Sequence, residues 1–461
     1  MRISNREFNK RRKDLMAQME SNSIALLSSA PPSVRNNDAE YPYRQNSDFY
    51  YLTGFAEPHA LLALIPGRRH GEVVLFCQEK DKDKELWTGY ILGPDAAIEE
   101  LGVDDAYPID DIDEIIPGLI EGRDRVYYSM GKDDDFDNCV MEWVKVIRNQ
   151  AKIGPHPPSE FQVLDHLLHE LRLYKSPTEI KLMEKAAKIS AEGHRAAMGF
   201  CKPGVMEYQL EAELHYAFTR NGSRAPAYVS IVGAGDNACV LHYDSNDAEV
   251  KEGDLVLIDA GCEYQHYASD ITRTFPASGK FTPEQKAIYE IVLKSQEAAI
   301  AEVQAGAQWD APHKASVRVI TQGLVKLGLL KGRPAQLIKS EAYKDFYMHR
   351  VGHWIGMDVH DVGDYKIDDH WRLLEPGMVT TIEPGIYISP NNTKVAKKWR
   401  GIGIRIEDDV LVTKTGNKIL STGIPKTVQE IEDYKNTLKT KSKKLLEKIN
   451  RLKNYGKKNS S

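Results

Sequence analysis

EGDLVLIDAGCEYQHYASDITRTFP, residues 252–276, runs apolar into Asp259, turns, and runs out through Asp270. Two such arms about a short polar centre predict a β-hairpin. With its centre between Tyr264 and Gln265, residues whose numbers sum to 529 face each other, and Asp259 and Asp270 are such a pair. Directly opposed side chains share one face, with Cβ atoms roughly 5 Å apart. Two carboxylates held that close repel unless a proton or a cation lies between them. A divalent metal is the economical explanation, provided further ligands come from elsewhere in the chain.

The same pattern occurs a second time. Residues 253–261 read GDLVLIDAG and residues 377–385 read GMVTTIEPG: glycine, five residues, an acid, one residue, glycine. Each is followed by a second acidic strand, with Asp270 in SDITRTF and Glu407 in IRIEDDVLV. Helix starts are duplicated as well. Ser176-Pro177-Thr178-Glu179 and Thr282-Pro283-Glu284-Gln285 each place a hydroxyl cap, then proline, then a side chain three positions on that can return to the cap. Duplicated halves, each offering two carboxylates from antiparallel strands, make one pseudo-symmetric α/β domain with a four-acid site at its centre.

Histidine is the other ligand type such a site needs, and residues 349–361, HRVGHWIGMDVHD, supply His349, His353 and His360 interleaved with glycines. A lone histidine is more often structural; three beside four acids point to catalysis, without all three touching metal. Asp259, Asp270, Glu383 and Glu407 bring four negative charges, which one divalent ion half neutralises and two balance. Two divalent ions sharing bridging carboxylates and a hydroxide are therefore expected. Carboxylates with a single imidazole suit Mn2+, and also Co2+ or Zn2+, since no thiolate selects a softer ion. Arg405, two residues before Glu407, points to the same strand face, where it balances the hydroxide and orients the ligating acids. An ordinary strand ion pair predicts the same proximity.

Composition sets the frame. At 461 residues the chain exceeds one small core, and its net charge of −6 argues against nucleic acid as the main partner. Five cysteines without a CxxC pattern fit a reducing cytoplasm. The charged start MRISNREFNKRRKDL has no apolar export segment, and no run is long enough to span a bilayer. Residues 1–173 alternate short apolar runs with helix-like charged stretches, as in an α/β domain; residues 174–434 are the duplicated domain. Residues 435–461 form a basic tail with nine lysines and Arg451 against Glu447, for which a solvated helix is the plainer reading than a membrane or nucleic-acid contact. GAGDNA, residues 233–238, imitates a dinucleotide fingerprint, but residues 239–243 after it read as a strand where that motif needs a helix. No P-loop, HExxH or GxSxG is present, so nucleophilic serine or cysteine catalysis has no support.

Together, LIDAG, SDITRTF, GHWIG, TIEPG and RIEDD resemble the five-ligand dinuclear site of the pita-bread metallopeptidases, in Asp259, Asp270, His353, Glu383 and Glu407. EYPYRQNSDFYYLTGF (residues 40–55), LHYDSN around His242, HRVGHWIGMDVHDVG and GIGIRIEDD look like the bacterial Xaa-Pro aminopeptidase (aminopeptidase P) branch, over almost the whole chain up to the tail. The resemblance implies an amino-terminal creatinase-like α/β domain and a carboxy-terminal pita-bread (α+β) domain. It implies that Asp270 and Glu407 help bridge two ions, with Asp259 on one and His353 and Glu383 on the other. His242, His349 and His360 match the family's substrate-binding and intermediate-stabilising histidines, and Tyr387 and Arg405 match positions behind the ligands. Trp87, in LWTGYILG, resembles an aromatic that a neighbouring subunit brings to the site, which implies a homo-oligomer, dimer or tetramer.

The implied reaction is removal of the first residue from peptides with penultimate proline, by attack of a metal-bridging hydroxide. His360 and His242 donate to the oxyanion, Glu383 carries the proton to the prolyl nitrogen, and His349 with Tyr387 walls the proline ring. Prolidase, cleaving Xaa-Pro dipeptides, is the nearest alternative. A pita-bread protein that binds partners without catalysis is the alternative from another class, and intact ligands weigh against it.

Overall fold

The computed structural model describes residues 2–438 and 440. The chain folds as two units, Met1–Arg172 and Leu173–Ser461. The first is built on a mixed six-stranded sheet whose central strands, Ser23–Ser28, Leu61–Leu64 and Val73–Cys77, are buried almost throughout. Burial on both faces explains why these strands read as unbroken apolar runs instead of alternating ones. Helices Ile112–Ile120 and Asp134–Asn149 supply Ile116, Val140 and Trp143 to the core. Trp87 lies in this unit on the short helix Lys82–Thr88, where it is 90% exposed.

The second unit opens with helix Pro177–Phe200, and its two halves repeat a plan of paired helices laid on a kinked antiparallel ribbon. Both helix starts close as capping boxes. Ser176 Oγ accepts from the Glu179 N–H and Glu179 accepts from the Ser176 N–H, and Thr282 and Gln285 do the same. Such a cap stabilises by about 1 kcal/mol. Between the helices and the ribbons lies the larger core, which includes Ile258, Phe275, Ile288, Ile386 and Ile404. Burying each contributes roughly 1.5–3 kcal/mol before the entropy of ordering it.

The ribbons correct the expected hairpin. Strand Leu255–Asp259 pairs with Thr272–Pro276 in a register that places Asp259 opposite Thr272, and the same register continues through Glu263 opposite Ala268. The turn sits at Gln265 and His266, both with positive φ (52° and 65°), one residue beyond the expected centre. A two-residue turn of that kind normally announces itself by Asn or Gly, and Gln-His does not. Moving the turn by one residue moves the pairing by two, so Asp270 stands opposite Gly261, while both acids stay on one face. A Cβ on Gly261 would lie 1.7 Å from the Ser269 carbonyl oxygen, so only glycine allows the arms to kink together there.

In the second half, Ile382 faces Asp408 and Gly385 faces Arg405, one continuous register that puts Glu383 opposite Glu407. The halves therefore correspond as Asp259 with Glu383, Thr272 with Glu407, and Asp270 with Arg405. The duplication is one of fold and not of carboxylate for carboxylate. Across the pseudo-twofold the unlike residues join: Thr272 Oγ1 donates to Glu407 (2.7 Å), and Arg273 pairs with Asp408 (2.7 Å).

Two further expectations change. Residues 239–243 are not a strand; a 3-10 turn, Gly235–Cys239, follows strand Ile231–Ala234, and Cys239, Leu241 and Tyr243 are apolar because they pack beside Leu257 and Tyr387. Lys435, the first residue of the expected tail, is only 4% exposed, and its ammonium donates to the carbonyls of Met198 and Cys201 at the end of helix Pro177–Phe200. A cation at a helix carboxyl end meets unpaired carbonyls and the negative pole of the dipole, which explains its burial. Lys439 and residues 441–461 of that segment lie outside the described residues. Among the described residues, no helix is long and apolar enough to cross a membrane.

Candidate metal centre

The two ribbons and the segment carrying His349, His353 and His360 meet at a cavity of about 1250 Å³ within the second unit. Asp259, Asp270, Glu383, Glu407 and His353 all line it. One side-chain atom from each of Asp270, His353 and Glu407 lies within 4.8 Å of the others. His353 is held by its own backbone, which exchanges hydrogen bonds with Thr381: the His353 N–H to Oγ1 at 3.0 Å and the Thr381 N–H to the His353 carbonyl at 2.9 Å. This close run beside strand Val379–Ile382 requires Gly352, where a Cβ would sit 1.9 Å from the Thr381 carbonyl oxygen. Glu383 is fixed from the same side, its N–H donating to the Val351 carbonyl at 2.7 Å.

The imidazole is set up as a ligand. Nδ1–H donates to the Trp354 carbonyl (2.9 Å), leaving Nε2 to face Asp270 Oδ2 at 3.4 Å and Glu383 Oε1 at 3.6 Å. A histidine whose far nitrogen is tied to a carbonyl presents its other lone pair in a fixed direction, as metal-ligating histidines do. Without a metal the cluster is electrostatically strained. Burial pushes Glu383 up to about 7, with Asp270 and Asp259 adding to it against His353 and Arg405. Burial also drives Glu407 well above its ordinary value, with Asp270 and Glu383 next, and raises Asp259 against the pull of Arg405. Burial works to raise Asp270 too, but its hydrogen bond to His353 and that ring's charge hold it low. His353 in turn goes up to about 9, because Asp270 and Glu383 outweigh its burial. Divalent cations relieve these shifts together, so the donor set fits them.

Arg405 is the hub of the wall behind the ligands. Nη2 donates to Asp259 Oδ2 (2.6 Å), Nη1 to the Tyr387 hydroxyl (2.9 Å) and Nε to Thr272 Oγ1 (3.1 Å). Tyr387 passes the connection to His349 Nε2 at 2.9 Å. Burial, then Arg405, brings His349 down to about 3, so its ring is neutral. Tyr387, expected as a wall of the proline pocket, is instead buried behind His349 and does not line the cavity, its hydroxyl joining His349 to Arg405. His349, His360 and His242 do line the cavity, with the His360 ring 4.3 Å from that of His353.

Tyr228 was not foreseen. Its hydroxyl lies 2.6 Å from Asp259 Oδ1 and 2.5 Å from Asp270 Oδ1, in a segment (residues 227–230, AYVS) with no local signal of function. Two pairings bring it there: Ala225–Pro226 beside Cys262–Tyr264, with the Ala227 N–H on the Gly261 carbonyl, and Ile231–Ala234 beside the Asp259 strand. A second acidic group, Asp48, Asp165 and His169 in the first unit, also has metal-like spacing, but Arg172 sits 2.6 Å from Asp48 and Lys132 2.9 Å from Asp165. Those cations already neutralise it.

Comparison with known proteins agrees with this geometry. The family model of metallopeptidase family M24 matches residues 181–414, and that of the aminopeptidase P N-terminal domain matches residues 8–127. The chain is 47% identical over 431 residues to the Xaa-Pro aminopeptidase of Escherichia coli (strain K12), spanning 93% of this chain and 97% of that protein. It superposes on the structure of Pseudomonas aeruginosa aminopeptidase PepP with a TM-score of 0.95 and 61% identity, covering 95% of this chain and 99% of that one. Zn-substituted E. coli aminopeptidase P in complex with product is similar at a TM-score of 0.93 and 46% identity, over 95% of this chain and 99% of the other. The chain therefore belongs to metallopeptidase family M24, with a pita-bread domain preceded by an aminopeptidase P N-terminal domain.

Proposed function

We propose that this protein removes the amino-terminal residue from peptides whose second residue is proline, using two divalent ions held by Asp259, Asp270, His353, Glu383 and Glu407. The observation that carries the reading is the convergence of four carboxylates and a carbonyl-anchored imidazole on one cavity. Charge supports two ions. Four carboxylates and one hydroxide carry five negative charges, which two divalent ions and the Arg405 guanidinium balance. Oxygen donors with one imidazole favour Mn2+, ahead of Co2+ or Zn2+. Such ions supply Lewis acidity and lower the pKa of water toward neutrality.

The chain's own residues do the rest. Glu383, opposite Glu407 across the ribbon, takes the remaining proton of the attacking hydroxide on a carboxylate oxygen as the new C–O bond forms and returns it to the departing prolyl nitrogen. His360 and His242, both on the cavity wall, donate to the carbonyl oxygen as it gains charge. His349, neutral and fixed by Tyr387, presents a flat ring toward the space that the proline ring fills. Proline has no N–H and a fixed φ, so a pocket that recognises the ring substitutes for the missing hydrogen bond. Trp87, exposed beside Leu86, is the aromatic that a neighbouring copy supplies, which makes the working form a homo-oligomer. Five cysteines without a disulfide suit a cytoplasmic enzyme.

Xaa-Pro and Xaa-Pro-Yaa peptides offered side by side test the activity. Faster release of Xaa from the longer peptide is expected, and a strong preference for the dipeptide would make the protein a prolidase. Glu383→Ala with bound metal measured alongside turnover tests the proton role. Full turnover at normal metal content would remove Glu383 from the reaction.

A further inference from the structure

The cavity wall carries two cations that the proposed reaction does not use. Arg350 and Lys366 both line it and are exposed, and both lie against one indole. The Arg350 guanidinium is 4.8 Å from the Trp371 ring centre and the Lys366 ammonium 4.9 Å. Lys366 faces Trp371 directly across a small ribbon, Lys366–Ile367 with His370–Trp371. Arg350 reaches the same ring from the residue after His349. Asp244 and Asp364 line the cavity as well, yet among the described residues neither cation has an ion-pair partner within 4 Å. Two like charges gathered on one ring form a place for an anion, since cation–π contact fixes their positions without neutralising them.

Their location says which anion. His349 Nδ1 is 3.6 Å from Glu383 Oε2, and the Val351 carbonyl accepts from the Glu383 N–H, so Arg350 lies between two residues that touch Glu383. In the proposed reaction His349 stands on the proline side, and Arg350, Lys366 and Trp371 line the same cavity as His349, where the residue after proline would lie. Two extended residues cover about 7 Å, within the reach of long arginine and lysine side chains. We infer that Arg350, Lys366 and Trp371 form a subsite for a carboxylate on the residue after proline, so that the enzyme favours short peptides or peptides acidic at the third position. The indole offers an apolar face to that residue while the two cations take its charge. This inference rests on the Xaa-Pro aminopeptidase reading.

The test uses the full-length, metal-loaded protein with three substrates: Xaa-Pro-Ala as free acid, its amide, and Xaa-Pro-Asp amide. Exposed charge contacts are weak singly, so the two cations together are expected to lower KM for the acid roughly fivefold relative to the amide. The preference should shrink as salt rises. Arg350→Met/Lys366→Met should bring the acid's KM to that of the amide, and Lys366→Glu should invert the preference. A low KM for the free acid identifies the chain terminus as the source of the carboxylate; a low KM for Xaa-Pro-Asp amide identifies the acidic side chain. Titration calorimetry of Pro-Ala against its amide reads the same subsite without turnover. Equal KM for all three substrates, or a preference that survives the double variant, overturns the subsite alone. Absence of cleavage of every Xaa-Pro peptide, with Pro-Ala still bound more tightly than its amide, overturns the assigned activity and leaves the subsite standing.

Discussion

Arg405→Lys keeps a positive charge beside Asp259 and removes the guanidinium fork. The fork spans three acceptors: Asp259 at 2.6 Å, the Tyr387 hydroxyl at 2.9 Å and Thr272 Oγ1 at 3.1 Å. An ammonium at the end of a single stem keeps the contact to the carboxylate and gives up the two to the hydroxyls. At roughly 1.5 kcal/mol for each bond from a charged donor the loss is about 3 kcal/mol, or about 150-fold in a rate or binding constant. That loss falls on function because both hydroxyls pass the contact on, Thr272 to Glu407 and Tyr387 to His349. We expect kcat/KM on Xaa-Pro-Yaa to fall roughly 150-fold, with weaker metal retention and an intact fold by circular dichroism. Arg405→Met leaves the carboxylates without their buried cation and should cost roughly 3–5 kcal/mol. Initial rates, with bound metal measured by equilibrium dialysis at the same pH, provide the assay. Arg405→Lys within threefold of the parent in both would refute the role of the fork.

Metal uptake should compete with protons, because the metal-free chain holds His353 up to about 9 and Glu383 up to about 7. Affinity should rise roughly tenfold or more per pH unit between pH 6 and 8, and a flat profile in a competition titration would contradict the site. The same shifts fix the sign for the chelated protein. Glu383 costs stability as pH rises from 4.5 through 7, and the contribution of His353, complete below 6.5, is lost through about 9. His349, brought down to about 3, works the other way below 6.5, so the calorimetric Tm of the chelated protein should fall between pH 7 and pH 9, where the His353 contribution is lost. Lys175→Met strands Asp361, its partner at 2.8 Å with both side chains 1% exposed, and should destabilise by roughly 3–5 kcal/mol. Lys175→Met/Asp361→Leu should recover much of that in thermal denaturation, and equal losses would show that the pair is not coupled. Tyr228→Phe removes the hydroxyl between Asp259 and Asp270 and should weaken metal binding roughly tenfold or more with little change in Tm; unaltered binding would make Tyr228 a bystander.

The acids and His353 were legible because metal chemistry demands residue types that stand out, and because helix caps and glycine-flanked strand ends punctuate the repeat. The register was not. Gln265 and His266 adopt positive φ without a glycine or asparagine to mark them, so the sequence pattern centres the turn one residue early and shifts the pairing by two. Parity survived, and with it the conclusion that Asp259 and Asp270 share a face. The repeat also concealed its own asymmetry: Asp270 stands where the second half has Arg405, and Thr272 where it has Glu407, correspondences that only backbone pairing exposes. Tyr228 and the Lys175–Asp361 pair are tertiary products, assembled from segments far apart with no spacing to betray them, while Lys366 and Trp371 meet across a local ribbon that carries no glycine or asparagine at its turn.

In the proposed reaction four carboxylates and His353 hold two ions, and both are needed. Counting bound metal per chain while following Xaa-Pro-Yaa cleavage, during stepwise reloading of the chelated protein with Mn2+, tests it most directly. Activity should be absent after chelation and reach its plateau as the second ion binds. Full activity at one ion per chain, or two ions bound with no cleavage, would contradict it.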